Sequence, residues 1–263
     1  MYPELNLFGY KMGTFPLLVG IGLAVGIFFV FFQLRKFSAS PERENAVMIS
    51  LPLTFVLGTV GAHISDVFFR ARLGELVKNP SAYGLTFYGW LISVFVFLIL
   101  YSKICRISPS YILNMFCPAF AAAQAFGRLG CFFGGCCYGR PFKWGVVYPV
   151  GTLPHTQYGA VPLIPVQLYE SVYLFAIMAV LLLFVRFKHR AAWYLIMLSA
   201  GRFGLEFFRA DDRGKFLSDV FSPSQWISIV LFFIGIFLLI SVDKKRFAQI
   251  KVRLSSLWRP VQQ

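Results

Sequence analysis

The stretch Gly127-Arg128-Leu129-Gly130-Cys131-Phe132-Phe133-Gly134-Gly135-Cys136-Cys137-Tyr138-Gly139-Arg140-Pro141 is rich in glycine, flanked by arginine and set between long apolar runs. It reads as a loop that places cations at the edge of a hydrophobic slab. Arginine is expensive at that depth unless an anion meets it, and a lipid phosphate is the most abundant anion there. The segment is therefore expected to belong to a site that handles phospholipid.

Composition supports the hydrophobic setting. With 58% hydrophobic residues, 31 Phe, 14% charged residues and a mean hydropathy of +0.69, the 263 residues carry more apolar surface than one soluble core uses. Seven runs are long enough to cross hydrocarbon, at roughly 14–34, 46–68, 85–102, 111–128, 165–187, 191–208 and 223–242. Backbone groups in lipid must be satisfied within their own segment, so the runs are read as helices. The expected fold is an all-α, seven-span membrane bundle over residues 1–242, followed by a basic amphipathic tail, 243–263, at the interface. No secretory signal is expected, because Glu4 and Lys11 precede the first run and that run outlasts a signal's apolar core.

A formal charge of +14 raises nucleic acid as a partner, but in a membrane protein the position of the cations decides. If the N-terminus lies outside, fourteen Lys and Arg fall on the inner side and nine on the outer, with Arg128 and Arg202 at helix ends in the membrane zone. That balance favours a cytoplasmic C-terminus. It also puts the Gly127–Pro141 segment and the Arg209–Lys215 loop on the same outer face. The longest connection, about Gly130 to Ile164 with Pro141, Pro149, Pro154 and Pro162, is expected to cap that face.

Polar residues inside the spans sharpen the picture. Arg202, Glu206 and Arg209 recur at i, i+4 and i+7, one face of the sixth helix, where Arg202 and Glu206 can pair. Gln167, Tyr169 and Glu170 open the fifth helix after Pro165, either as partners of the positive helix end or as buried partners of the arginines.

Taken in order, five segments resemble the prolipoprotein diacylglyceryl transferase family: Thr86-Phe87-Tyr88-Gly89-Trp90-Leu91-Ile92, Gly127–Pro141, Pro165–Glu170, Gly201-Arg202-Phe203 running into Glu206-Phe207-Phe208-Arg209, and Ser222-Pro223-Ser224-Gln225. The resemblance implies transfer of the diacylglyceryl group from phosphatidylglycerol to the thiol of a lipobox cysteine, with glycerol phosphate leaving. It implies the outer face of the bacterial inner membrane, no metal or organic cofactor, and no nucleic acid. Arg128 and Arg202 match the family's functional arginines and are expected to grip the headgroup and stabilise the leaving phosphate. Glu206 and Glu170 are expected to hold those arginines or relay protons. Arg140, Arg209 and Gln167 complete the lipid contacts, while Gly127, Gly130, Gly134, Gly135 and Gly139 let the backbone approach the headgroup.

The chain departs from the family at several points. Tyr88 stands where the family has a histidine, and Cys131, Cys136, Phe15 and Leu198 replace an asparagine, an acidic residue and two tyrosines. A thiol acceptor must become thiolate to attack, so the loss of a histidine base matters. Tyr88 is the positional substitute; His63, three residues before Asp66, is a second candidate base, and His155 in the long connection a third. A lipid-binding relative with another acceptor or no catalysis remains an alternative reading, as does a membrane thiol–disulfide protein.

Cys105 and Cys117 read as small apolar residues. Cys131, Cys136 and Cys137 share the central segment, and their spacing matches no common zinc motif. Packing groups beside the headgroup are the favoured reading, with a Cys131–Cys136 disulfide as the alternative.

Overall fold

The computed structural model describes residues 4–7, 10–37, 40–70, 86–210 and 221–257, with backbone alone for 5, 7, 10, 67–70 and 243–257. Arg72, Lys78, Arg213 and Lys215 lie outside the described residues, as do the side chains of the 243–263 tail. The chain opens with an antiparallel hairpin of β1 (Glu4–Leu7) and β2 (Tyr10–Gly13), in the register Glu4 to Gly13 and Leu7 to Tyr10. The all-α expectation did not contain it. Helices α1 (Thr14–Phe37), α2 (Pro41–Arg70), α3 (Phe87–Ile104) and α4 (Pro109–Phe133) follow. After β3 (Pro141–Val146) and a short α5 (Leu153–Tyr158) come α6 (Val166–Leu183), α7 (Arg190–Glu206) and α8 (Pro223–Leu257).

Five of these helices, α1, α2, α3, α6 and α8, are long and apolar enough to cross a membrane. Their outward faces carry large apolar side chains such as Phe28, Val172, Phe233 and Phe237, each more than 60% exposed and suited to a lipid contact. The chain is a mainly helical, multi-pass membrane protein.

The two long helices outside that set are the ones nearest the middle. Helix α4 buries thirteen of its 25 residues and packs on α1, α3, α6 and α7. It begins with Pro109 in its first turn, where a missing N–H costs nothing. Pro118 leaves one carbonyl of the helix without its donor, and Gln33 of α1 meets the neighbouring Met115 carbonyl at 2.8 Å. Small residues allow the close approach of α1: a Cβ on Gly22 would sit 2.8 Å from that of Phe126, and one on Gly26 would meet the Ala119 carbonyl at 3.3 Å. Arg190 closes the same end of the bundle, buried against Gln33 and stacked on Phe37 and Phe187.

One boundary differs from the sequence reading in a way that matters. The residues 127–133 are not loop; they form the last two turns of α4, and the turn begins at Gly134. At Gly130 the space is filled by Phe15 of α1, 3.0 Å from where a Cβ would stand, whereas Gly127 has nothing within 4 Å. Arg128 is thus fixed on a buried helix. The long connection is also more ordered than a plain loop, since bridges join Pro141 and Val146 to Leu163, and Gly139 to Arg209.

Candidate functional site

The C-terminal end of α4, the first turn of α6, the last turns of α7 and the first turns of α3 and α8 meet at one end of the bundle. Glu170, on the first turns of α6 and 3% exposed, is where they converge. Its Oε1 lies 3.1 Å from Arg128 Nε, and both carboxylate oxygens accept from Arg202 Nη1 at 2.9 Å. Arg209 Nη1 stands 3.9 Å from Glu170 Oε2. Glu206 sits one turn from Arg202, with Oε2 at 3.7 Å from Arg202 Nη2 and 4.0 Å from Arg209 Nε, and its Oε1 accepts from Ser222 Oγ at 3.0 Å.

Three guanidiniums therefore face two carboxylates, all nearly buried. Burying such a cluster is costly in itself and is weak evidence of stabilisation. Arg202, 2% exposed, also keeps its Nε without a hydrogen-bond partner among the described residues. A buried donor left in that state costs on the order of 1–3 kcal/mol, and a ligand acceptor would remove the penalty.

Tyr88 does lie at this site. Its ring sits beneath the Arg202 guanidinium, 5.8 Å from centroid to Cζ, and its hydroxyl shares a 2.6 Å hydrogen bond with Ser228 Oγ. Both contacts brace Arg202 from below. Gly89 of the same segment lets α2 approach, since a Cβ there would overlap the Ser65 side chain.

Other expected residues are placed differently. Arg140 is exposed, and its Nε donates to the Arg209 carbonyl at 3.2 Å, so it tethers the turn rather than joining the cluster. Gln167 is fully buried and faces the connection: its Nε2 donates to the Cys136 carbonyl at 2.6 Å, and its Oε1 accepts from Tyr148 at 3.1 Å. Burial pushes the Tyr148 hydroxyl up to about 12, which keeps it a neutral donor. Gly139 is closed in by protein, with the Ile164 and Phe208 carbonyls 2.7 Å from any added Cβ. Gly127 has open space around it. His155 Nδ1 contacts the Tyr148 carbonyl at 2.9 Å, and His63 sits half-buried on α2, which packs on α3.

The cysteines form the feature that spacing did not reveal. Gly135 (φ +67°) and Cys137 (φ +62°) both take the left-handed conformation, which curls the turn back on the helix end. For a non-glycine residue that costs roughly 1 kcal/mol or more. As a result the Sγ atoms of Cys131, Cys136 and Cys137 all lie within 4.8 Å of one another, and all three are free thiols. Hydrogen bonds from Cys131 and Cys136 draw the Cys137 thiol well below its ordinary value; Arg128 and Arg209 pull the same way, against burial.

The sequence profile described as prolipoprotein diacylglyceryl transferase matches residues 4–241. The chain belongs to the prolipoprotein diacylglyceryl transferase family.

Similar proteins include the phosphatidylglycerol-prolipoprotein diacylglyceryl transferase of Clostridium tetani, 27% identical over 253 residues that cover 92% of this chain and 97% of the relative. A second transferase so named, from Clostridium perfringens, is 29% identical over 91% of this chain and 94% of its own length. That of Aromatoleum aromaticum is 32% identical over 66% of this chain and 73% of its own. This member of the diacylglyceryl transferase family has a buried arginine cluster with three thiols and Tyr88 beside it.

Proposed function

We propose that the chain transfers the diacylglyceryl group of phosphatidylglycerol to the thiol of a lipobox cysteine and releases glycerol phosphate. The observation that carries this is the convergence of the Arg128 and Arg202 guanidiniums on Glu170 in a nearly buried site, with Arg202 Nε left without a hydrogen-bond partner among the described residues. A phosphodiester brings an anionic acceptor for that donor. Arg128 and Arg202 bind the phosphate; as the carbon–oxygen bond breaks, charge grows on the phosphate and their hold tightens, which is the condition for catalysis. Glu170 positions both guanidiniums, and Glu206 with Ser222 positions Arg202 and Arg209. Tyr88 supports Arg202 from below.

In this reading α4 and α7 also cross the bilayer, making seven spans. At 25 and 17 residues they measure about 38 and 26 Å, enough for a hydrocarbon core when tilted or flanked by loops. The arginine end faces outward, with the 134–165 connection, and the C-terminus is cytoplasmic. The fourteen-to-nine split of Lys and Arg supports that orientation.

The test uses purified protein, labelled phosphatidylglycerol and a lipobox peptide. Thioether peptide and glycerol phosphate should appear in equal amounts, and Arg202→Ala should reduce turnover by roughly 10²–10³-fold. Lipid retained by the wild type and lost in Arg202→Ala, with no product from any peptide, would contradict transfer and support a lipid-binding relative.

A further inference from the structure

The three-thiol cluster has no role in the account above, and the account lacks a group to make the acceptor a thiolate. Tyr88 is engaged with Ser228 and Arg202, and His155 with the Tyr148 carbonyl. We propose that Cys131, Cys136 and Cys137 bind a soft d10 cation such as Zn2+, and that its open fourth position takes the acceptor thiol for alkylation. This rests on the transferase reading.

The geometry supports it in three ways. Ligands of a tetrahedral zinc with bonds near 2.3 Å stand about 3.8 Å apart, so sulfurs already within 4.8 Å of one another need close by only about 1 Å. Two left-handed residues, Gly135 and Cys137, hold the turn in the form that gathers the thiols, and Gln167 pins its middle through the Cys136 carbonyl. Among the described residues three thiols gather, the number of protein ligands that a catalytic rather than a structural zinc site uses. Arg128 and Arg209 lie within electrostatic reach of Cys137 and offset the negative charge of a tris-thiolate centre.

The chemistry fits the step that needs help. A thiol that coordinates such a cation loses its proton outright, and here the proton passes to water. The metal-bound sulfur then forms the S–C bond to the glycerol carbon as the C–O bond breaks, and that electron pair leaves with the phosphate held by Arg128 and Arg202. The product thioether carries no charge and is a weaker ligand, so it leaves the metal. Placing the nucleophile beside the phosphate-binding arginines puts both reacting partners in one site.

The experiment reads metal and turnover separately. Metal-stripped protein is titrated with Co2+ under reducing conditions, and zinc in protein purified without chelator is measured by atomic emission. One equivalent per chain is expected, with affinity at least tenfold weaker in Cys137→Ser and no binding in the triple Cys→Ser variant. A lipobox peptide with its cysteine should intensify the sulfur-to-cobalt charge-transfer band; the same peptide with serine should not. Removing the metal should lower turnover by about 10²-fold, the range of a lost proton-transfer catalyst. No stoichiometric metal, equal loading of the triple variant, or no spectral response to the cysteine peptide would overturn the proposal. Full turnover in metal-free protein would overturn it while leaving the transferase reading intact. A normal titration without any turnover would instead contradict the transferase reading and leave the metal site standing.

Discussion

Glu170 carries more of the site than any other single residue, because three guanidiniums depend on one carboxylate. Glu170→Gln removes the charge and keeps the shape, breaking the buried pairing with Arg128 and Arg202 at a cost of about 3–5 kcal/mol. Thermal unfolding of the detergent-solubilised variant should show that loss, and added anionic lipid should restore part of it. Arg202→Lys tests a different property: it keeps the charge but loses the planar fork that meets Glu170 and a phosphate together. Turnover should fall nearly as far as in Arg202→Ala, with lipid retention reduced. For Tyr88 the two contacts separate cleanly. Tyr88→Phe forfeits the Ser228 hydrogen bond, worth roughly 1 kcal/mol, and keeps the ring under Arg202, so kcat should stay within about tenfold of wild type. A kcat loss of several hundredfold would mean that the hydroxyl itself takes part in proton transfer. The arginines, Glu170 and Glu206 were legible from their positions in apolar runs, since a charge there needs a partner, whereas Tyr88 was legible only through the family resemblance. The thiol cluster was not, because backbone handedness at Gly135 and Cys137 brings it together, and no spacing rule encodes that.

At the scale of elements, the turn from Gly134 to Arg140 links the end of α4 to the end of α7 through the Gly139 to Arg209 bridge. Only glycine fits at 139: an added Cβ would press on two carbonyls at 2.7 Å, and backbone cannot step aside as a side chain can. Gly139→Ala should therefore cost about 1–3 kcal/mol by overpacking and displace Arg209 and Cys137 together. The measurable sign is a fall in both turnover and thermal stability, whereas Gly127→Ala, which faces open space, should change neither. Five of the seven expected runs, those of α1, α2, α3, α6 and α8, are helices of spanning length. The end of α4 was not legible, because glycines 127 and 130 look like a loop in sequence, and the packing of Phe15 of α1 on Gly130 is a tertiary contact that no local pattern encodes. The Gln33 and Arg190 contact across the far end of the bundle also escaped the sequence reading.

For the molecule as a whole, the arrangement is a bundle in which the central helix, α4, brings an arginine to one end and a polar clasp with Gln33 to the other. If the arginine end faces outward, alkaline phosphatase fused after Gln263 should be inactive and a fluorescent protein fused there should be bright; the reverse pattern would invert the topology. The central claim is narrower: guanidiniums of Arg128 on α4 and Arg202 on α7 bind one phosphate between them. An experimental structure of the protein with glycerol phosphate or phosphatidylglycerol bound tests it most directly. The account predicts phosphate oxygens about 2.7–2.9 Å from nitrogens of both arginines, with Arg202 Nε among the donors. Phosphate held elsewhere, with the Arg128, Glu170 and Arg202 pairing undisturbed, would contradict it.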